Sequence, residues 1–453
     1  MLIDPVHHQT TQLADVYVQS APGSDAAIAC GIARWLFEND RTDLNAVDYC
    51  DHFDQYRELV FSKSLDEWAA VADIPTAQLI ELAELFADGP TMSMIGWGLG
   101  RRRHGGAIVR AIDALVAVSG NLGIPGGGAS FYFVRRDAFD FSFSDGFTAP
   151  RTIPEPLFGQ RMLDLNDPPV RLAWVWAANP VAMLPDSKLV AEALRTRDFT
   201  VVVDPFLTYT AQCAHLVLPT TTFLEEDDFV GAYGHHYLAE VSPVVDAPKG
   251  VRSDHEIFRE LSRRLQLGED FDVDASVWKD RLLGKLKAAG VTAEDFSAGA
   301  VKNPFTKTVL FEGRQFNTPS GKVNLVHSLD DDLLNPLPKL GPRVTAVSTR
   351  RAQASQWMPD EQQGPLTATV NPSAAPGLQA GDVVDVVTDR GRMPVVLSFD
   401  EKQRADVLLF EKGHWHSANR SANSLIEAEC SDTGECASYY DTPARFEASV
   451  NDA

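Results

Sequence analysis

Two short patterns in the chain have the residue types and spacing to take part in ligand binding. Asp4-Pro5 ends an apolar run, which is typical of the carboxyl edge of a parallel strand in an open α/β sheet, where such sheets bind nucleotides. Arg101-Arg102-Arg103 follows Gly96-Trp97-Gly98 in an otherwise acidic protein. This basic run favours binding of phosphate or of an anionic substrate. The alternative is that the three arginines form a solvated helix start.

Cysteines and histidines, the usual ligands of iron–sulfur clusters and zinc, do not form a recognisable metal motif here. His414 and His416 alternate, but two histidines without a third ligand favour packing or hydrogen bonding. The five cysteines lack the close pairing of a metal site, which favours buried or loop thiols in a reducing compartment. They are Cys30, Cys50, Cys213, Cys430 and Cys436.

Composition indicates a large protein with more than one core. The chain has 453 residues, of which 44% are hydrophobic and 23% are charged, so several domains are expected. The net charge of −23 argues against nucleic acid or an anionic membrane as a partner, because like charges repel. No apolar run long enough to span a bilayer and no export signal is visible, which predicts a cytoplasmic location.

Hydrophobic periodicity predicts an α/β protein in three parts. Residues 1–133 read as a partial Rossmann-like dinucleotide-binding domain, and residues 134–335 as a second α/β domain. Residues 336–453 change to short strands between Gly- and Asp-rich turns, which predicts a β-rich domain. The predicted helices are Ala26 to Phe37, Thr76 to Phe86, Ile108 to Val118, Asp186 to Arg195 and Asp254 to Leu265. The predicted strands are Met92 to Ile95, Leu172 to Trp176, Phe199 to Val203, Leu366 to Val370, Val383 to Thr388, Met393 to Leu397 and Asp406 to Phe410.

An ordered set of motifs runs through the whole chain. Each is weak alone, but in this order they resemble the catalytic subunits of molybdopterin oxidoreductases of the dimethyl sulfoxide reductase type, which include formate dehydrogenases and nitrate reductases. After Asp4-Pro5 and Gly96-Trp97-Gly98, the motifs are Pro22-Gly23-Ser24-Asp25, Ser119-Gly120-Asn121, Gly126-Gly127-Gly128, Ala178-Asn179-Pro180, Val203-Asp204-Pro205, Leu218-Pro219 and Thr318-Pro319-Ser320-Gly321-Lys322. The resemblance implies Rossmann-like α/β domains followed by a C-terminal double-psi β-barrel. The implied cofactor is bis-molybdopterin guanine dinucleotide with molybdenum or tungsten.

Such a cofactor has two pyrophosphates, two guanines and two pterins to be held. Glycine at a helix start, as in Gly23-Ser24-Asp25, lets backbone N–H groups approach pyrophosphate. A carboxylate can accept both N–H donors of guanine, so Asp25 and Asp204 suit that role, while the alternative for Asp25 is a helix N-cap. The resemblance implies cofactor contacts by Asp4, Pro5, His7, His8, Gly23, Ser24, Asp25, Trp97, Arg101, Asn179, Val203, Asp204, Asp254, Ser348, Arg350, Gln356, Trp357, Trp415, Asn423 and Tyr440.

The rest of the catalytic apparatus is expected outside this chain. The resemblance implies a metal ligand and a [4Fe-4S] cluster on an N-terminal segment or subunit upstream of Met1, and an electron-transfer subunit as a further partner. Arg135 and Arg102 are candidates for the substrate side. The motif around Arg135 departs from that of formate dehydrogenases, which puts formate as the small-molecule substrate in doubt. Two function classes stay open: a two-electron oxidoreductase, or a non-catalytic homologue that keeps the fold as a structural or electron-transfer-complex subunit.

Overall fold

The N-terminal region of the protein is a helical core with short parallel strands at its edges. The computed structural model describes residues 1–130, 137–338 and 340–449. Elements of the first region, in chain order, are β1 (Leu2–Ile3), β2 (Tyr17–Val18), α1 (Asp25–Glu38), α2 (Ala46–Tyr49), β3 (Cys50–Asp51), α3 (Phe53–Phe61), α4 (Leu65–Ala72), α5 (Thr76–Ala87), β4 (Met92–Met94), α6 (Gly105–Val118) and β5 (Gly128–Ser130).

Helix α1 is the centre of this first core. Its run of small and aliphatic residues from Ala26 to Ala33 is buried, and the helix packs against α4, α5 and α6. Gly31 allows the close approach of α5, because a Cβ atom there would lie 2.6 Å from Leu79 Cδ2. Strand β1 pairs in parallel with β2, and β4 pairs in parallel with β5. Both ladders are two-stranded.

The second region contains a three-stranded parallel sheet with helices packed on it. Its elements are α7 (Phe158–Asp164), β6 (Leu172–Trp176), α8 (Pro180–Met183), α9 (Ser187–Arg195), β7 (Phe199–Val203), α10 (Tyr209–Gln212) and β8 (Leu216–Leu218). The strand order is β6-β7-β8, with every pair parallel. All three strands therefore present their carboxyl ends at one edge, where α/β sheets bind ligands.

A smaller unit follows this sheet. Its elements are β9 (Asp228–Gly231), β10 (Tyr237–Val241), α11 (Asp254–Leu265), α12 (Ala275–Leu282), α13 (Gly284–Ala288), α14 (Ala293–Ala298) and β11 (Val301–Lys302). The antiparallel strands pair in the order β11-β10-β9. Leu238, Leu283, Leu286 and Phe296 form a separate buried cluster with Phe139.

The chain then returns to the first core before entering the C-terminal domain. Strand β12 (Val323–Asn324) pairs in parallel with β3, and α15 (Asp331–Leu334) follows. Leu325, Val326 and Leu333 are buried with the first core. The predicted second domain, 134–335, thus contains two packing units and ends with residues that pack against the first. Nothing local in the sequence marks such a return, because its partners lie far away along the chain.

The C-terminal domain is a six-stranded mixed sheet that closes on itself. Its strands are β13 (Arg343–Val347), β14 (Leu366–Val370), β15 (Val383–Val387), β16 (Arg392–Phe399), β17 (Val407–Glu411) and β18 (Arg445–Ala448), in the order β13-β17-β14-β16-β15-β18. The chain entering β18 meets the outer edge of β13, where Val344 N donates to Thr442 O at 3.0 Å and Ala444 N to Pro342 O at 2.9 Å. We call residues 343–448 the barrel.

Alternate side chains along the strands are apolar and fill the interior of the barrel. In β14, Leu366, Ala368 and Val370 are buried while Thr367 is exposed, as expected where successive side chains point to opposite faces. The predicted strands and helices of all three parts are present, with ends shifted by a few residues. None of the helices formed by the described residues combines the length and apolar character that crossing a bilayer requires.

Candidate cofactor site

A cavity of about 1060 Å³ lies between the first core and the barrel. Its walls come from β1 and the loop after it, α1, β4 and the loop after it, the end of β13, and apolar side chains of α5 and α6, which form its apolar end. Nine of the residues predicted to contact the cofactor or the substrate line it: Asp4, Pro5, His8, Gly23, Asp25, Arg102, Ser348, Arg350 and Tyr440. One end of the cavity is therefore polar and carries charges of both signs.

Asp25 is the most strongly perturbed acid in this wall. It is the first residue of α1, and Ser24 before it occupies the N-cap position. The N-cap alternative for Asp25 is thus wrong. The Ser24 hydroxyl donates to Ala21 O at 2.8 Å, so its side chain makes no cap hydrogen bond either. Burial raises the pKa of Asp25 to about 6, although the nearby Arg102 guanidinium opposes this shift.

Gly23 completes this helix start. Its φ of +82° lies in the left-handed region, and a Cβ atom would approach Arg102 Cδ to 3.3 Å. Glycine is therefore favoured on both backbone and steric grounds. Ser24 N donates to Ala21 O at 3.1 Å and Ala27 N to Ser24 O at 2.9 Å, so the helix start offers an anion chiefly the positive end of the helix dipole beside Asp25.

The turn after β1 is held by Asp4 and His8. The Asp4 carboxylate accepts from Val6 N at 2.7 Å and lies 3.3 Å from His8 Nε2. His8 Nδ1 accepts from Thr10 N at 3.3 Å, so the proton of a neutral His8 belongs on Nε2, facing Asp4. His7 does not line the cavity; its backbone is fixed by Gln403 of the barrel through hydrogen bonds of 3.0 and 2.7 Å.

The three arginines of the basic run have different environments. Arg102 is buried and donates to Asp441 Oδ1 at 2.8 Å and to Tyr440 O at 3.2 Å. Arg103 is half-exposed and pairs with Glu429 at 2.8 Å. Arg101 lies over the ring of Tyr439, 5.1 Å from its centroid. The alternative of a solvated helix start is wrong for Arg102, because a buried guanidinium with an ion-pair partner is a built contact.

A second cation from the barrel lies close to Arg101. Burial lowers the pKa of Lys412, and the positive charge of Arg101 lowers it further. Within the described part of the chain, no carboxylate forms an ion pair with either side chain. Two neighbouring cations without an acidic partner favour an anionic ligand. Trp97 lies between Gly96 and Gly98 of the cavity wall but does not line the cavity itself; its ring contacts that of Tyr233, with centroids 5.3 Å apart.

The carboxyl edge of β6-β7-β8 gathers a second set of predicted residues. Asp204 follows the buried Val203, and its side chain accepts from Phe206 N at 2.9 Å. Burial raises the pKa of Asp204. Asn179 follows β6 and accepts from Thr210 Oγ1 at 2.6 Å. Asp254, at the start of α11, accepts from Thr220 Oγ1 at 2.7 Å. None of these residues lines the first cavity, so the sequence-predicted residues form two groups.

The remaining barrel residues lie in or beside this second group. Trp415 packs in the core of the β6-β7-β8 region and stacks on Tyr209, with ring centroids 6.2 Å apart. Asn423 donates to Ala182 O at 3.0 Å and so ties the barrel to α8. Trp357 stacks on His414 at 4.0 Å, and Gln356 accepts from Ala354 N at 2.7 Å, which closes a turn.

Unpaired buried donors test whether the second group suits a polar ligand. Asn179 Nδ2 and Trp415 Nε1 are buried without a hydrogen-bond partner among the described residues, and so is Nδ1 of His416. Buried polar atoms are normally satisfied, so orphans grouped beside a ligand-binding edge favour a missing polar ligand. The donor set fits nucleotide oxygens. Together with Arg101 and Lys412, it fits the expected dinucleotides.

Some predicted residues cannot be placed, and some site residues were missed. Arg135 lies outside the described residues. No group of three or more histidine, cysteine or acidic side chains with metal-site geometry occurs in the described ranges, and all five cysteines are free. Lys412, Asp432 and Asp441 were not singled out, and no local motif marks them. Asp432 and Asp441 contact residues 326 and 339 positions away in the sequence.

Comparison with known proteins agrees with this architecture. The sequence model of the family described as Molybdopterin oxidoreductase matches residues 1–264, and that of the Molydopterin dinucleotide binding domain matches residues 343–443. The fold of acetylene hydratase from Pelobacter acetylenicus superposes with a TM-score of 0.80 over 99% of this chain and 73% of that one. At 18% identity, this similarity concerns the fold alone.

Curated relatives are similar over most of the chain. Probable oxidoreductase YyaE of Bacillus subtilis is 30% identical over 97% of this chain and 70% of its own length. A dimethyl sulfoxide/trimethylamine N-oxide reductase of Cereibacter sphaeroides is 27% identical, over 91% of this chain and 61% of its own length. An assimilatory nitrate reductase of Haloferax mediterranei is 28% identical over 59% of this chain and 40% of its own length. The chain therefore spans between 40 and 70% of these relatives, and it belongs to the molybdopterin oxidoreductases of the dimethyl sulfoxide reductase family.

Proposed function

We propose that this chain is the cofactor-binding part of an enzyme that holds bis-molybdopterin guanine dinucleotide with molybdenum or tungsten. One observation carries the proposal: two separate groups of predicted residues, one in the cavity wall and one at the carboxyl edge of β6-β7-β8, each contain a partly buried aspartate and are joined by one barrel. A cofactor with two dinucleotide arms needs such a pair of sites. When bound, the group would supply redox chemistry by exchanging two electrons with a small substrate.

Asp25 and Gly23 would hold one arm. The start of α1 offers the positive end of the helix dipole to a pyrophosphate, and the Asp25 carboxylate can accept the two N–H donors of guanine. Because burial raises the Asp25 pKa to about 6, the carboxylate is mostly ionised at neutral pH yet poorly hydrated. Such an acceptor gains from a pair of ligand donors. Asp204 and Asn179 would hold the other arm at the carboxyl edge of β6-β7-β8.

The barrel would close over both arms. Its six strands and mixed pairing support its assignment as the double-psi β-barrel of this family. Arg101 and Lys412 form a positive patch between the first core and the barrel, suited to the anionic parts of the cofactor. Ser348, Arg350 and Tyr440 would border the first arm, and Trp415 the second. A reaction of the nitrate reductase or formate dehydrogenase kind fits this framework.

We infer that an upstream polypeptide segment adds a strand to the apolar end of the cavity. Leu2 N donates to Val16 O, just before β2, and Asp4 N to Val18 O, so the amide of Ile3 between them faces the other edge. Ile95 N donates to Ser130 of the β5 ladder at 2.8 Å, so the amide of Met94 likewise faces away from β5. These two free edges border one cavity, and unpaired strand edges are templates for another strand. The metal ligand and a [4Fe-4S] cluster would belong to that segment, and an electron-transfer subunit would complete the enzyme.

The test is cofactor content, with and without the added segment. The chain is produced in a bacterium that makes the cofactor, alone and together with the part of Bacillus subtilis YyaE that it does not span. We expect molybdenum or tungsten and two guanosine monophosphates per metal, after acid hydrolysis, from the combination, and neither metal nor iron from the chain alone. A folded combination without metal or guanine would instead support the non-catalytic homologue. Stoichiometric metal in the isolated chain would contradict the need for a further segment.

A further inference from the structure

The loop of the barrel from Glu429 to Asp441, here called the clamp loop, grips the start of α6 in the first core. Asp432 Oδ1 accepts from Gly106 N and Oδ2 from Ala107 N, both at 2.8 Å. In return, Asp432 N donates to Arg103 O at 2.8 Å. A carboxylate from another domain, 326 residues away, thus caps this helix at two positions.

Helix α6 lacks a cap of its own. His104 occupies the N-cap position without a side-chain cap hydrogen bond, and the helix begins with Gly105-Gly106. Glycine is a poor helix former, and the first N–H groups of a helix have no partner within it. The start of α6 therefore depends on the external carboxylate, which also suits the positive end of the helix dipole.

The space at Gly106 is too small for any side chain, which is consistent with close packing of the clamp loop on α6. A Cβ atom at this position would overlap the Oγ1 and Cβ atoms of Thr433 and approach Asp432 Oδ1 to 3.0 Å. The clamp loop therefore reaches the helix backbone only because residue 106 has no side chain. Gly106 has a negative φ, so the lack of space, and not the backbone conformation, explains glycine here.

The same loop fixes the arginines beside the cavity. The Asp441 carboxylate accepts from Arg102 Nη1 at 2.8 Å and from Arg103 N at 2.7 Å. Tyr440 N donates to Arg101 O at 3.3 Å. Glu429 pairs with the Arg103 guanidinium through both of its oxygens, at 2.8 and 3.1 Å. Arg102 and Tyr440, both in the cavity wall, are thus held from the same loop as the cap of α6.

We propose that Asp432 is a positioning residue for the cofactor cavity: by capping α6 from the barrel, it fixes the segment that presents Arg102 to the ligand. The proposal rests on the proposed function. Asp432 does not line the cavity and acts through Arg101 to Arg103. Its loss should therefore loosen ligand binding at the cavity without touching the ligand-binding edge of β6-β7-β8.

The test combines two variants that weaken the cap by different means. Asp432→Asn removes the charge, and Gly106→Ala blocks the approach of Thr433. The control is Glu435→Gln, which neutralises an exposed carboxylate on the same loop that makes no ion pair with any described residue. Amide hydrogen exchange at Gly106 and Ala107 measures the cap, and calorimetric titration with guanosine diphosphate measures the two ligand sites. The cavity site is identified as the one that Asp25→Ala removes.

We expect both variants to speed exchange at the two amides, because the hydrogen bonds from Gly106 N and Ala107 N to Asp432 are weakened or lost. The segment that presents Arg102 is then held less firmly, so the affinity of the cavity site should fall about tenfold or more. The second guanosine diphosphate site should keep its affinity, which shows that the variant is folded, and Glu435→Gln should change nothing. Faster exchange with unchanged affinity would make Asp432 a purely structural cap and overturn the proposal. Unchanged exchange would overturn it too. A wild-type chain that binds no guanosine diphosphate would contradict the proposed function itself.

Discussion

Asp25 shows how a binding residue can weaken the empty protein. Its pKa is raised by burial to about 6, against 3.8 for an ordinary aspartate. The folded state therefore holds the proton more tightly than the unfolded state does. The contribution of the neutral Asp25 carboxyl group to the free energy of unfolding is fully present below about pH 4. It is lost as the pH rises through 6, where this partly buried group must ionise. A ligand that donates two hydrogen bonds would offset this loss.

Asp25→Asn should accordingly stabilise the ligand-free protein above pH 6 and have little effect near pH 4. The shift of about two pKa units would correspond to about 3 kcal/mol for a fully buried carboxyl group, and because Asp25 faces a cavity that solvent enters, we expect about 1–2 kcal/mol. Urea unfolding at pH 4 and pH 8 measures the difference in the free energy of unfolding. Equal differences at the two pH values would show that burial of the charge is not the cause.

The local sequence was sufficient to predict that certain residues lie at the ends of helices and strands, but not which distant residues they contact. Asp25 and Asp204 follow recognisable patterns, a glycine before a helix and an apolar strand before an acid. Asp25 lines the cavity, and Asp204 lies at the carboxyl edge of β7. The burial of Arg102 was not predictable, because it depends on Asp441, which is distant in the sequence. The N-cap alternative for Asp25 failed because the choice between neighbouring residues depends on backbone dihedral angles.

Among the elements, periodicity succeeded where a segment packs by itself and failed where distant segments meet. Strands β6, β7 and β14 and helix α11 have the predicted bounds, because each carries a full apolar pattern. Strands β12 and β18 are two of those that were missed. The first has only two residues, and the second is an outer strand of the barrel whose pairing with β15 is not visible in its own residues.

The two free strand edges at the cavity lead to a test at the level of elements. Met94 is 78% exposed on β4, on the edge where we expect the upstream segment. Met94→Lys should barely change the stability of the isolated chain, because an exposed side chain contributes little. It should weaken capture of the added YyaE segment at least tenfold, because a charge would be buried in an apolar contact. Co-purification with the tagged segment measures this.

Leu13→Lys is the matched control for that measurement. Leu13 is 84% exposed and lies outside the cavity wall, so its replacement adds the same charge and removes a similar apolar side chain. Capture unchanged by Leu13→Lys and lost with Met94→Lys would locate the segment at β4. Equal capture by both variants would contradict an added strand at this edge.

At the scale of the whole molecule, the barrel connects the two ligand-binding regions. Gln403 and Arg404 bind it to the first core through His7, Gln19 and Asp73. On the other side, Tyr439 donates to Met183 O at 2.8 Å and Asn423 to Ala182 O at 3.0 Å. These contacts could not be predicted from the sequence, since they join residues more than 200 positions apart. They show that one domain contacts both ligand-binding regions, through different residues in each case.

Two sites on one chain give a stoichiometry that can be counted. If each ligand-binding edge accepts one guanine nucleotide, the chain should bind two molecules of guanosine diphosphate. Asp25→Ala and Asp204→Ala should each reduce the number to one, and the double variant to none, since each carboxylate supplies a charge-assisted contact of about 1.5–3 kcal/mol. Isothermal titration calorimetry gives the number of sites directly, and circular dichroism checks the fold of each variant. Because the two aspartates lie in different packing units, their effects should be additive. A single site lost in both variants would instead mean that the two edges contribute to one pocket.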